Sequence, residues 1–312
     1  MHIDQRMKKI NPKSFLTAGV ILCLLSGCAT VIKKEDIFLE AQKIKAAAIE
    51  KPTPIVTVVP QELPPTVNPN LSTTPPTIQP IVLEPLPLPA QVKLSREETL
   101  VYRSKFLGIA IGEFTTMNKG KVTVNGRPAY CFEIDVKTLP FFSALFQTKD
   151  RYVSYLDAEK FVVLRHEEYI KSGTFLESST DFDHLNHTAL YKNFVTHKEK
   201  TVAIPEKIID VISGGFYLRT IPLAIGDTQE VDLYADEKIY NFVGLIHSKI
   251  IVTMPSNTKQ DAFLFKPYVF KDGKQITKIS AEVYFATDEA KTPLRAILKT
   301  PLGNVTVVLI PN

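Results

Sequence analysis

Beyond about residue 94 the chain breaks into short runs in which apolar residues alternate with polar ones, and many of the apolar ones are β-branched or aromatic. A period of two, punctuated by Gly, Asn and Asp, predicts strands. Residues 99–116 carry Leu100, Tyr102, Phe106 and Ile109 around Gly108 and Gly112, and predict a strand pair or one bent strand. Residues 121–136 set Asn125-Gly126 between two alternating runs, which is a two-residue hairpin signal. In the second of those runs Tyr130, Phe132, Ile134 and Val136 share a face. Further strands are expected over 151–157, 160–169, 175–183, 187–196, 229–235, 238–253, 262–270, 276–286, 294–300 and 304–310. Spacing of this kind predicts a mainly antiparallel β domain over 95–312.

Within that domain the helical period appears clearly once, over 206–219, where Ile208, Ile209, Ile212, Phe216 and Tyr217 fall three or four apart. Pro205 suits the first turn of such a helix, and Pro222 lies just beyond its end. Gly214 and Gly215 would each weaken it by about 1 kcal/mol relative to alanine unless something packs closely there.

Several late strands are apolar on both faces. Ile239, Val243 and Leu245 alternate with Tyr240, Phe242 and Ile246, and residues 305–310 read Val-Thr-Val-Val-Leu-Ile. Apolar surface left in water costs about 25 cal/mol per Å², so both sides need a cover. One helix covers one side. The other side requires a second sheet, as in a closed sandwich, or a sheet that curls around a cavity. The expected fold is therefore a curved antiparallel sheet or incomplete β-barrel with the 206–219 helix plugging one side, and such mouths commonly take apolar ligands.

The first 94 residues have a different character. Residues 1–13 are polar and basic, 14–25 form an almost uninterrupted apolar run, and Leu25-Ser26-Gly27-Cys28 ends it with small residues before a cysteine. Twelve helical residues reach only about 18 Å against roughly 30 Å of hydrocarbon, so the run reads as a secretory signal rather than a membrane span. The segment resembles the lipobox of bacterial lipoproteins. That resemblance implies a signal peptide over 1–27, cleavage between Gly27 and Cys28, and lipidation of Cys28, which would anchor the chain stably in a membrane. Met7-Lys8-Lys9 looks more like a signal start than Met1 does, which leaves the true start codon open. Ala29, by resemblance to Gram-negative sorting rules, favours the outer membrane, with the domain facing the periplasm. Residues 28–50 then hold the anchor and a short amphipathic helix with Ile37, Ala41, Ile44 and Ala48 on one side. In 51–90 twelve of forty residues are proline and none is glycine, so 51–94 is expected to be a disordered, polyproline-like tether.

Composition narrows the function. The 312 residues are 45% hydrophobic and 22% charged, as in a globular protein. The formal charge is +4, but four of the basic residues and one acid precede Cys28; the remainder has 33 basic and 32 acidic residues, so no nucleic-acid partner is implied. Once Cys23 is removed and Cys28 acylated, only Cys131 is left, in a strand between Tyr130 and Phe132, as a buried thiol.

The residues from Leu100 through Gly112-Glu113, then Asp210, Ser213, Tyr217, Arg219, Pro222 and Gly226, and finally Tyr284, Pro293-Leu294-Arg295 and Leu302-Gly303, resemble the bacterial exported-protein family named domain of unknown function 3108. The resemblance covers about 98–310. It implies a place in the cell envelope and a curved antiparallel sheet similar to the periplasmic lipoprotein-carrier fold, with no established activity. It also marks Gly112, Glu113, Asp210, Ser213 and Arg219 as characteristic positions of unknown role.

The densest set of potential metal ligands is Asp181, Asp183, His184 and His187. Phe182 and the turn-forming Asn186 put these residues in a loop, and no third histidine is near, so no metal is expected. The chain has no Gly-x-Ser-x-Gly, phosphate loop or dinucleotide fingerprint, and no cofactor or catalytic residue is assigned. The sequence thus predicts a non-enzymatic lipoprotein of the cell envelope that binds a lipid or other apolar ligand. The alternative is a scaffolding module that binds another envelope protein.

Overall fold

The computed structural model describes residues 34–49, 94, 96–140, 149–172, 175–276, 280–300 and 303–310. Gly27, Cys28, the signal segment and the proline-rich tether lie outside the described residues.

The strands are β1 (Glu98–Phe106), β2 (Ile109–Val124), β3 (Arg127–Thr138), β4 (Lys149–Asp157), β5 (Val163–Ile170), β6 (Leu176–Asp183), β7 (Thr188–Asn193), β8 (Lys198–Ala203), β9 (Ile209–Asp210), β10 (Thr228–Ala235), β11 (Lys238–Thr253), β12 (Lys259–Lys271), β13 (Lys274–Gln275), β14 (Ser280–Ala286), β15 (Pro293–Thr300) and β16 (Gly303–Leu309). The helices are α1 (Lys34–Ile49) and α2 (Val211–Leu218).

All the strands join one sheet, and β1 to β8 follow one another as a meander. The Asn125-Gly126 hairpin forms between β2 and β3, both residues taking the positive φ that such a turn requires. β1 pairs antiparallel with β16, so the first and last strands are neighbours, and the sheet ends at β8 on one side and β9 on the other. Every pairing is antiparallel except that of β9 with β10.

The sheet is open but curls until its two halves share a core. Tyr130 and Phe132 of β3, Leu156 of β4, Ile246 of β11 and Phe265 of β12 belong to a single buried cluster around Ile212, Phe216 and Tyr217 of α2. Fully burying a side chain of this size contributes roughly 1.5–3 kcal/mol. The curl brings β5 against β9, where Val163 N–H donates to the Ile208 carbonyl at 3.0 Å. Beyond that point the sheet laps over itself: Phe182 of β6 and Ala189 of β7 pack on Tyr234 of β10, with the Phe182 and Tyr234 rings edge to face at 4.9 Å. The expected incomplete barrel with a plugging helix is thus the observed fold.

Three details differ from the expectation. The helix expected over 206–219 begins only at Val211, because Ile209 and Asp210 pair with Leu233 and Tyr234 as β9. Asp210 stays extended and caps the helix: its carboxylate accepts from Ser213 N–H at 2.7 Å while Asp210 N–H donates to Ser213 Oγ at 3.2 Å. Pro205 therefore precedes a strand rather than a first turn. β8, which is not among the strands expected from the sequence, forms although its residues Lys-Glu-Lys-Thr-Val-Ala are mostly exposed.

The third difference concerns α1, which docks on the outer face of the sheet. There Ile37 and Ala41 bury Val243, Leu245, Tyr268 and Phe270 of β11 and β12. Lys45 pairs with Asp227 at 3.0 Å, and Lys34 pairs with Glu230. Gly226, at φ +83°, allows this approach, since a Cβ there would stand 2.9 Å from the Ala41 carbonyl oxygen. The outer apolar face of β11 is thus covered by α1, while its inner face, with Phe242 and Ile246, turns to the core that contains α2. No described helix is long and apolar enough to cross a membrane.

Candidate functional site

α2 leans on one side of the curled sheet, where Phe216 stacks on Phe132 with ring centroids 4.2 Å apart. On its other side a cavity of about 260 Å³ remains between the helix and strands β1, β2, β11, β12 and β14 to β16. Its walls are chiefly apolar: Leu100, Phe114, Phe242, Phe265, Val283 and Phe285. Tyr102 and Phe114 stack at 4.7 Å on one wall, and Tyr102 donates its hydroxyl to the Pro293 carbonyl at 3.0 Å. Burial pushes the Tyr102 phenol far up, so it stays a neutral donor.

Gly214 and Gly215 line the cavity from the helix. A Cβ at Gly214 would come within 3.2 Å of Ile209 Cδ1, whereas a Cβ at Gly215 would meet no atom within 4 Å. Gly215 therefore leaves open space where any other residue would place a side chain.

Arg219, just past the C-terminus of α2, also borders the cavity, but its charge is already matched. Its Nη1 and Nη2 donate to the Glu98 carboxylate at 2.5 and 2.9 Å, and its guanidinium lies 5.8 Å from the Phe216 ring centroid. A site of this composition can enclose an apolar molecule.

The N-terminus of α2 is held by a buried polar cluster. Asp210 Oδ2 lies 2.9 Å from His166 Nδ1, His166 Nε2 lies 3.4 Å from Glu168, and Ser178 Oγ donates to Glu168 at 3.2 Å. Burial disfavours the imidazolium, but its hydrogen bonds to Asp210 and then Glu168 outweigh that and raise the His166 pKa to about 10. Burial likewise works against both carboxylates, yet the hydrogen bond and charge of His166 hold Asp210 and Glu168 below their ordinary range.

Of the positions singled out by the sequence, the structure brings Asp210 and Ser213 together at the start of α2 and sets Arg219 at its end. Gly112 and Glu113 lie elsewhere, on β2. Glu113 pairs with Arg103 and, at 2.9 Å, with Lys137, and these hydrogen bonds, Arg103's first, lower its pKa. Asp183, His184 and His187 occupy the tight turn between β6 and β7. The Asp183 carboxylate accepts from Leu185 and Asn186 N–H, His184 Nε2 contacts the Val163 carbonyl at 2.6 Å, and His187 sits at φ +51°. Among the described residues no three His, Cys, Asp or Glu gather as a metal site. Burial pushes the Cys131 thiol up to about 11. The sequence pattern assigns no role to Glu168, Glu98 or His166. Asp210 lies 44 residues from His166 and Arg219 lies 121 from Glu98, so no local pattern announces these pairs.

No curated protein matches the chain. Among solved structures it is similar to a β-barrel-like protein of domain of unknown function DUF1849 from Brucella abortus, with 9% identity and a TM-score of 0.47 over 69% of this chain and 96% of that one. It is also similar to a candidate lipoprotein from Parabacteroides distasonis, with 11% identity and a TM-score of 0.31 over 69% and 94% of the two chains. A hypothetical protein from Chlamydia trachomatis matches with 12% identity and a TM-score of 0.27 over 72% and 92%. Residues 101–310 match the family described as protein of unknown function (DUF3108), and the chain belongs to that family.

Proposed function

We propose that this protein is a non-enzymatic lipoprotein of the cell envelope that holds a lipid-like, apolar molecule in the cavity beside α2. The observation that carries the reading is the cavity itself: about 260 Å³ of space with chiefly apolar walls, bordered on the helix side by Gly215, which sets no side chain in it. A glycine inside a helix is destabilising relative to alanine by about 1 kcal/mol. Gly215 is exposed at the cavity's border, so a glycine there leaves that border clear of a side chain. The membrane attachment rests on the apolar run and on Leu25-Ser26-Gly27-Cys28, with Cys28 as the acylated residue and Ala29 favouring the outer membrane, facing the periplasm.

The scaffolding alternative would use a sheet edge or the proline-rich arm. The exposed edge strand β8 carries Lys198, Glu199 and Lys200, the kind of charged edge that discourages strand addition. The cavity reading is therefore preferred. Native mass spectrometry with solvent extraction tests it, using protein that begins no later than α1 so that the outer face of β11 stays covered. An adduct of lipid mass that extraction releases is the expected result. Protein repeatedly isolated at its bare polypeptide mass, with no uptake of added fatty acid or phospholipid, would sink the reading.

A further inference from the structure

In an antiparallel meander alternate turns fall at the same end of the sheet. The turns joining β1 to β2, β5 to β6 and β7 to β8 therefore share one rim, and the strand order places the start of β4 there too. Exposed apolar side chains concentrate on that rim: Leu107 and Ile109 at the first turn, Phe175 at the second, Phe194 and Val195 at the third. The second and third are adjacent, since Phe194 N–H donates to the Glu177 carbonyl at 2.8 Å. Tyr169 meets Phe175 edge to face at 5.4 Å, and Lys171 Nζ lies 5.1 Å from the Tyr169 ring centroid.

The charges on this rim are lopsided. Lys105, Lys149, Lys171 and Lys198 stand at or within two residues of these strand ends and have no carboxylate partner among the described residues. The carboxylates nearby are mostly engaged: Asp150 is buried and accepts from the Lys171 and Ser172 amides, and Glu199 pairs with Lys192 at 3.5 Å, which leaves Glu177 exposed. The opposite rim has one large exposed apolar residue at its meander turns, Leu185, flanked by Asp183 and His184.

We propose that the rim carrying Leu107, Phe175 and Phe194 docks on an anionic lipid surface. Its apolar side chains stand exposed at turn tips with lysines among them, which suits the headgroup boundary of a bilayer, where apolar side chains enter while lysines meet lipid phosphates. This inference goes beyond cavity binding and would survive an empty cavity, because it concerns another part of the molecule.

The chain has no tryptophan, so a single introduced indole reports without background. Phe194→Trp and, as the control at the other rim, Leu185→Trp would be placed in the complete mature protein bound to vesicles of phosphatidylcholine and phosphatidylglycerol. The expected result is a blue shift and quenching by brominated acyl chains for Phe194→Trp, with neither for Leu185→Trp. Adding Lys171→Gln and Lys198→Gln should reduce the quenching several-fold. Absence of quenching at Phe194→Trp overturns the proposal. So does equal quenching at both rims, and so does full quenching on vesicles of phosphatidylcholine alone.

Discussion

His166 Nδ1 lies 2.9 Å from Asp210 Oδ2, which ties β5 to the residue that both ends β9 and caps α2. At the far end of the same helix Arg219 is gripped by Glu98 of β1. A helix of eight residues is short for independent stability, so these two ionic attachments, together with Phe216 against Phe132, fix its position and hence the shape of the cavity beside it.

Breaking the buried attachment should be costly. His166→Ala leaves the Asp210 carboxylate buried without its countercharge, which is expected to destabilise the fold by about 3–5 kcal/mol. Asp210→Ala leaves His166 with Glu168 as its carboxylate partner but removes the cap, worth about 1 kcal/mol, and should cost less than His166→Ala. The double variant should lose less than the sum of the two, and urea unfolding of all four proteins measures the coupling. Strict additivity would mean that the pair does not act as a unit.

The same cluster gives stability a pH dependence with a definite sign. The folded-state pKa of His166 is raised from 6.5 to about 10, so its contribution is complete below pH 6.5 and is lost as pH climbs through the folded value. Asp210 and Glu168 are lowered from 3.8 and 4.5, so theirs is complete above those values and is lost on acidification. Stability from this cluster should therefore be greatest between about pH 4.5 and 6.5, declining toward pH 10. Replacing His166 by glutamine should flatten the alkaline decline, as followed by urea midpoints across that range.

The curled sheet was legible because alternation and turn residues are local signals: Asn125-Gly126 and the face shared by Tyr130 and Phe132 both appear as read. The demand for two covers on β11 was also legible from Val243 and Leu245 opposite Phe242 and Ile246, but not the identity of the outer cover. Ile37 and Ala41 mark an apolar stripe on α1 without saying what it meets some 200 residues later. β8 escaped because an edge strand with alternate lysines has no buried face to betray it. The start of α2 was misplaced because Ile208 and Ile209 fit a helical spacing as well as a strand, and only pairing with Leu233 decides between them. The cavity walls come from strands at both ends of the chain, so the site itself had no sequence signature beyond the two glycines.

The docking of α1 makes a prediction about where the domain can be cut. Ile37 is wholly buried against Val243 and Leu245, so Ile37→Ala should cost about 2–5 kcal/mol. A fragment beginning at residue 95 loses all of α1 and uncovers Tyr268 and Phe270 as well. Compared with a chain that includes α1, it should bind more of a hydrophobic dye and unfold at lower urea. Equal midpoints for the two would show that α1 contributes nothing to the β domain.

The two glycines of α2 separate stability from capacity. Gly215→Ala adds a methyl group where no atom lies within 4 Å and relieves the helix of a glycine, so it should stabilise by about 0.5–1 kcal/mol. Gly214→Ala makes the same backbone gain, but its methyl meets Ile209 Cδ1 at 3.2 Å, and Ile209 is pinned in β9 opposite Leu233. Its gain should be cancelled or reversed. A larger residue distinguishes the two properties further: Gly215→Phe puts a ring at the cavity's border without crowding its neighbours, so thermal unfolding should stay close to that of the parent while uptake of a fatty acid, read by native mass spectrometry, falls sharply. Undiminished uptake in a well-folded Gly215→Phe protein would place the ligand somewhere other than beside α2.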